Sequence, residues 1–129
     1  MGPEYQPEVD LRLPPVPRAA GQARRTIARL GGLDPDILVR LRLLVSELVS
    51  NSVRHGRFGD EDTIHLSVRR RGELIRVDVT NPAEQFATRP QRPDPDSPTG
   101  WGLYLVERLA ERWGIVADGQ AHVWFELRC

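Results

Sequence analysis

The sequence predicts an α+β fold, a two-layer sandwich with three main helices packed on one face of a mixed, mostly antiparallel sheet. Three observations predict it. Residues 41–56 carry Leu41, Leu44, Val45, Leu48, Val49 and Val53 at the three- and four-residue spacing of one buried helix face. Residues 63–71 and 74–80 alternate apolar and polar side chains on either side of Gly72, the period of half-buried strands. The elements run helix, helix, strand, strand, loop, helix, strand, strand, so a helical layer separates from a sheet.

Taken in order, residues 1–17 hold Pro3, Pro7, Pro14, Pro15 and Pro17, too many prolines for a helix. Residues 1–10 are expected as a flexible tail, with Val9, Leu11 and Leu13 alternating as a short edge strand. Pro17 can open a helix, because its missing N–H is unneeded there. That helix is expected over 18–30, with Ala19, Ala23, Ile27 and Leu30 inward, and Gly31-Gly32 ends it. Asp34-Pro35 reads as an N-cap and first helical residue, starting a long helix over 35–55 with Gly56 as its C-cap. A charged loop (57–62) precedes the first hairpin, whose inward residues are Ile64, Leu66 and Val68, then Ile75, Val77 and Val79.

Residues 81–99 differ in kind. Asn81-Pro82 breaks the strand, and Pro90, Pro93, Pro95 and Pro98 follow with few apolar residues. A loop of that length inside one domain is either functional or a tolerated surface insertion. Gly100-Trp101-Gly102-Leu103 then opens a helix expected to reach Trp113, with Leu103, Val106, Leu109 and Ala110 inward and Gly114 as its end. Strands over 115–117 and 121–127 close the chain around Asp118-Gly119, a two-residue turn signal.

Composition narrows the class. A chain of 129 residues is read as one domain, 1–129, able to bury roughly two-thirds of its unfolded surface. The 18 basic residues, all arginine, balance 18 acidic ones, which points away from a nucleic-acid or membrane-surface binder. Without lysine, lysine-based catalysis is excluded. One cysteine, Cys129, excludes a disulfide framework or a cysteine metal cluster. No apolar run reaches the length of a membrane span and the N-terminus lacks a signal-peptide core, so a cytoplasmic location is the default expectation.

Two constellations carry chemistry. Glu47 and Asn51 sit four apart and share a helix face. A carboxylate there can accept a proton or orient a water, and an amide oxygen is a hard, neutral ligand for Mg²⁺. The blander reading is a polar stripe beside a core helix. The second constellation is Thr99-Gly100-Trp101-Gly102-Leu103 at a helix start, where unpaired N–H groups and glycine's lack of a side chain suit a phosphate. Preceded by a long loop that can fold over it, this arrangement points to a nucleoside triphosphate. No Gly-Lys-Ser/Thr P-loop is present.

The run Ser46-Glu47-Leu48-Val49-Ser50-Asn51-Ser52-Val53-Arg54-His55 resembles the N-box of the gyrase/chaperone/histidine-kinase ATPase superfamily, with its Bergerat ATP-binding fold. Within it the chain most resembles the anti-sigma factor serine/threonine kinases in their actinobacterial form. Gly100-Trp101-Gly102-Leu103-Tyr104-Leu105-Val106 resembles that family's second glycine box, and Leu109-Ala110-Glu111-Arg112-Trp113-Gly114 and Val123-Trp124-Phe125-Glu126-Leu127 are similar to its C-terminal half. The resemblance covers about Leu11 to Arg128.

It implies that Asn51 ligates Mg²⁺ on a bound ATP, that Glu47 is the general base toward a substrate hydroxyl, that Gly100 and Gly102 with their helix hold phosphates, and that 84–99 is the lid. It further implies an ATP-binding regulator that sequesters a sigma factor, phosphorylates a serine or threonine of an antagonist protein, and dimerises. One departure stands out. The family's first glycine box begins with an aspartate that accepts from the adenine amino group and continues into Gly-x-Gly. Here the corresponding position is Asn81, followed by Pro82-Ala83-Glu84. Asn81 keeps an acceptor oxygen without the charge, and turning its NH₂ outward would admit guanine. Asp78 is a weaker substitute, and Trp101 either stacks on a base or caps the core. The alternative is a non-catalytic partner-binding module whose nucleotide binding is weak or lost.

Overall fold

The computed structural model describes residues 4–56, 58–82, 102–117 and 119–129. Eight elements follow in order: β1 (Gln6–Leu13), α1 (Arg18–Ile27), α2 (Pro35–His55), β2 (Ile64–Arg71), β3 (Leu74–Asn81), α3 (Gly102–Leu109), β4 (Arg112–Ala117) and β5 (Ala121–Arg128). The strands form one five-stranded sheet in the order β1-β2-β3-β5-β4. The expected α+β sandwich is present, with one correction. The sheet is antiparallel at every pairing, not mixed. The helical crossover does carry the chain back so that β4 runs parallel to β3. The closing hairpin then inserts β5 between them, and β5 is antiparallel to both.

The core lies between this sheet and the helices. Leu41, Leu44, Val45, Leu48 and Val49 of α2 meet Ala19, Ala23 and Ile27 of α1 and the inward side chains Leu66, Val77 and Phe125, all fully buried. Truncating a residue as enclosed as Phe125 to alanine costs about 3–5 kcal/mol.

Element ends depart from expectation where local chemistry overrides periodicity. β1 begins at Gln6, inside the stretch expected as a tail. A register shift between Pro7 and Val9 absorbs the proline at this edge strand. α1 stops at Ile27 instead of 30, because Arg29 and Leu30 donate three residues back, to Thr26 and Ile27, and tighten the last turn. Gly32 then reverses the chain with φ of 73°. Gly56 does cap α2, but in an extended conformation. A side chain there would run into the Phe58 ring.

The largest correction is at α3. It ends at Leu109, not Trp113, and the chain enters β4 at Arg112. Glu111 donates its N–H to the Glu126 carbonyl and opens the ladder, which pairs Trp113 with Phe125. Gly114 does not end a helix. It sits mid-strand beneath Trp124, where a Cβ would fall 2.6 Å from the indole Nε1.

Candidate functional site

The site is built on the middle of α2. Glu47 is half-buried, and Asn51, one turn later, is only 4 % exposed. Among the described residues the Asn51 side-chain amide atom Nδ2 has no hydrogen-bond partner, and the hydroxyl of fully buried Ser52 beside it has none either. Buried polar atoms are nearly always satisfied, so an orphaned amide on a functional face marks a place where a ligand completes the bonding. Burial raises the Glu47 carboxyl above its ordinary range, while the positive charges of Arg54 and Arg24 partly oppose the rise. A carboxylate so placed is more basic than a free one and better suited to take a proton.

Gly102 brings α3 to this point. It is buried, and a Cβ built on it would lie 3.4 Å from the Glu47 carbonyl oxygen. The N-terminus of α3 therefore abuts the backbone of α2 at Glu47, and the first N–H groups of a helix suit an anion. The Leu103 side chain is in the core at 4 % exposure, so its backbone N–H is what it contributes. Thr99, Gly100, Trp101 and the expected lid, 84–99, lie outside the described residues.

Asn81 is fully buried at the end of β3, paired with Ala121. Its alternation with Val77 and Val79 puts it on the helix-facing side of the sheet. Asp78 points the other way. On the open face it is bound by Arg69, by Arg76 and by His122 at 2.7 Å. Burial alone would raise its carboxyl, but the hydrogen bonds and charges of Arg76 and His122 more than offset burial and hold it below the ordinary range. Asp78 is thus removed as a substitute base-binding acid. A cavity of about 470 Å³ opens at these strand ends, lined by Arg12, His65, Thr80, Asn81 and Gln120 among others. Glu47, Asn51 and Gly102 do not line it, so the structure gathers those three and leaves Asn81 to one side.

Among the described residues no three His, Cys, Asp or Glu side chains cluster. A divalent cation here would depend on the Asn51 amide oxygen together with oxygens from a bound phosphate chain and water, an arrangement that suits Mg²⁺ better than an all-protein cage would. The orphaned Asn51 amide fits that requirement, since amide O and N exchange places by a flip.

Sequence reasoning passed over Arg54, Arg24 and Ser46. Arg54 lies seven residues after Glu47, two turns along one face, and that spacing could have revealed it. Arg24 comes from α1 and donates from Nη1 to the Ser46 hydroxyl at 2.6 Å, a contact no spacing rule predicts.

A helix bearing a carboxylate and an amide, abutted by a glycine-opened helix above an antiparallel sheet, defines a nucleotide-binding domain of the ATPase type. Residues 13–126 match the family of histidine kinase-like ATPase domains, and the chain belongs to that family. A comparison with curated proteins gave no match. The family is one of ATPase domains, and no helix among the described residues is long and apolar enough to cross a membrane.

Proposed function

We propose that this protein is an anti-sigma factor of the serine/threonine kinase type: it binds Mg-ATP, holds a sigma factor, and phosphorylates a hydroxyl of an antagonist protein. Glu47 carries the reading. Its carboxyl is raised by burial, it precedes the orphaned Asn51 amide by one turn, and its backbone touches the glycine that opens α3. Glu47 takes the proton from the substrate hydroxyl through a carboxylate oxygen. Asn51 offers its amide oxygen to Mg²⁺, which when bound neutralises triphosphate charge. The first N–H groups of α3 receive phosphate oxygens, and Asn81 accepts from the amino group of the base. Homodimerisation and a cytoplasmic location, with no direct contact to nucleic acid or membrane, complete the proposal.

Glu47→Ala is expected to abolish transfer to the antagonist while sparing ATP binding. Transfer at the wild-type rate would remove the base assignment. One observation favours a second reading. The buried group at the end of β3 is the neutral Asn81, without the charge that strengthens adenine recognition. A partner-binding module without catalysis would follow. Calorimetric titration with ATP, ADP and GTP, with and without Mg²⁺, separates the two: micromolar Mg²⁺-dependent ATP binding supports the kinase, and silence at millimolar nucleotide supports the module.

A further inference from the structure

The described arginines fall into two populations. On the open face of the sheet most are engaged: Arg69 and Arg76 bind Asp78, Arg112 binds Glu126, and Arg128 lies near Glu73 and Glu111. Arg70, on the helix-facing side of β2, is engaged too, by Glu8 and the Gly31 carbonyl. On the helical layer Arg24, Arg25, Arg40, Arg42 and Arg54 are all exposed, and among the described residues none is within salt-bridge distance of a carboxylate. Net charge is zero, so this is a segregation of charge and not an excess. A field confined to one face steers a partner of opposite local charge.

The same face carries apolar anchors. Val39 is 61 % and Leu43 40 % exposed, one turn apart on α2. Val39, Leu43, Glu47, Ser50 and Arg54 follow at three- and four-residue steps and so form one stripe. Its far end opens into a cavity of about 200 Å³ between the two helices, lined by Pro17, Ser50, Val53 and Arg54. The stripe spans about 22 Å at the helical rise, the length of roughly six or seven extended residues. Glu47 lies in its middle, with Arg24 held against Ser46 alongside.

We infer that this stripe is the substrate-docking track: it seats an extended protein segment whose acceptor hydroxyl meets Glu47, with an aliphatic side chain in the Pro17–Ser50–Val53–Arg54 cavity, a second on Val39 and Leu43, and acidic residues facing Arg24 and Arg54. The inference rests on the kinase reading above and adds what the substrate must look like. Guanidinium forks match carboxylates in pairs, which favours an acidic segment. Two aliphatic side chains are too little apolar surface to anchor in a bilayer, and a chain of zero net charge lacks the broad positive field that nucleic acid demands.

A random peptide library displayed against the immobilised full-length protein, without nucleotide, tests it. Enriched peptides should pair Asp or Glu with Leu, Ile or Val within three positions. Their binding should weaken at least tenfold on Arg24→Glu/Arg54→Glu and, separately, on Leu43→Ser, with urea unfolding showing each variant folded. No enrichment, a neutral or basic consensus, or equal binding to the variants overturns the track. So does binding of phosphatidylglycerol vesicles or duplex DNA that the charge reversal removes, or a sedimenting dimer that it dissociates, since each assigns the face to another occupant. Acidic peptides that bind as expected but are never phosphorylated with Mg-ATP would overturn the kinase reading alone. Phosphorylation of an antagonist indifferent to both variants would overturn the track alone.

Discussion

Asn81→Asp is the substitution on which the nucleotide reading is most exposed. The native side chain is fully buried at the end of β3 and, in the proposed role, accepts one hydrogen bond from the base. A neutral hydrogen bond contributes about 0.5–1.5 kcal/mol and one to a charged group about 1.5–3 kcal/mol. The aspartate should therefore tighten ATP by about 1 kcal/mol, about fivefold in Kd. The same burial works against the variant when no nucleotide is present. A carboxylate enclosed there costs more than the about 1–3 kcal/mol of a neutral unsatisfied group, and a chain of 129 residues loses about 4 °C of Tm per kcal/mol. The nucleotide-free variant should melt at least about 4 °C below wild type, and saturating ATP should recover part of that deficit. Burial also raises the new carboxyl, so the deficit should be larger at pH 8, where the group must ionise, than at pH 5. Calorimetric titration and thermal melts at both pH values read the two halves separately. A melting deficit with unchanged or weaker ATP binding would show that Asn81 is buried but outside the base pocket, and the reasoning would fail.

Asn51→Ala should eliminate Mg²⁺-dependent ATP binding in calorimetry while changing stability by less than about 1 kcal/mol in urea, because the lost packing is offset by removal of an unsatisfied buried amide. Glu47→Gln should raise stability at pH 7: a carboxyl lifted by burial favours the folded state only while protonated, so that contribution is present below its ordinary pKa and lost as pH rises through the folded value. The gain over wild type should vanish near pH 3, and thermal melts across that window check the sign. Gly114→Ala should lower stability by about 1–3 kcal/mol in urea unfolding, since the new methyl meets the rigid indole of Trp124 and not a flexible side-chain end.

What the sequence made legible was periodic or local. Seven buried residues on α2 follow one helix stripe closely enough that no neighbour could disguise it. The hairpin of β2 and β3 was readable from alternation about Gly72, whose φ of 56° is the turn it was expected to make. The α3–β4 boundary was not readable, because the apolar spacing of Leu103, Val106 and Leu109 runs without a break toward Trp113. The signal that ends the helix is the pairing of Trp113 with Phe125 on another strand. The open face of the sheet was equally hidden. Glu126 is 1 % exposed there, on the side without helices. It is enclosed by Arg112 at 2.6 Å and by the hydroxyl of Tyr5 at 2.7 Å, which lies 121 residues away. Trp124 lies beside it between the guanidiniums of Arg76 and Arg112. Only the folded register brings such residues together.

That same face decides the question the sequence left open at the base pocket. Asp78 and Asn81 are three residues apart on one strand, so alternation sends them to opposite sides of the sheet. Asp78 is held among Arg69, Arg76 and His122 on the open face, and, once burial is offset, Arg76 and His122 lower its carboxyl. It cannot also serve a ligand on the helical side without breaking those contacts and shifting the strand register by one residue, which would turn Val77 and Val79 out of the core. If Asn81 stands at a base pocket, as proposed, the acid it replaces is therefore not supplied by Asp78. On the proposed kinase reading the neutral Asn81 amide then recognises the base without help from Asp78, on the proposed partner-binding reading nucleotide binding is weak or lost, and the nucleotide titration distinguishes those two outcomes directly.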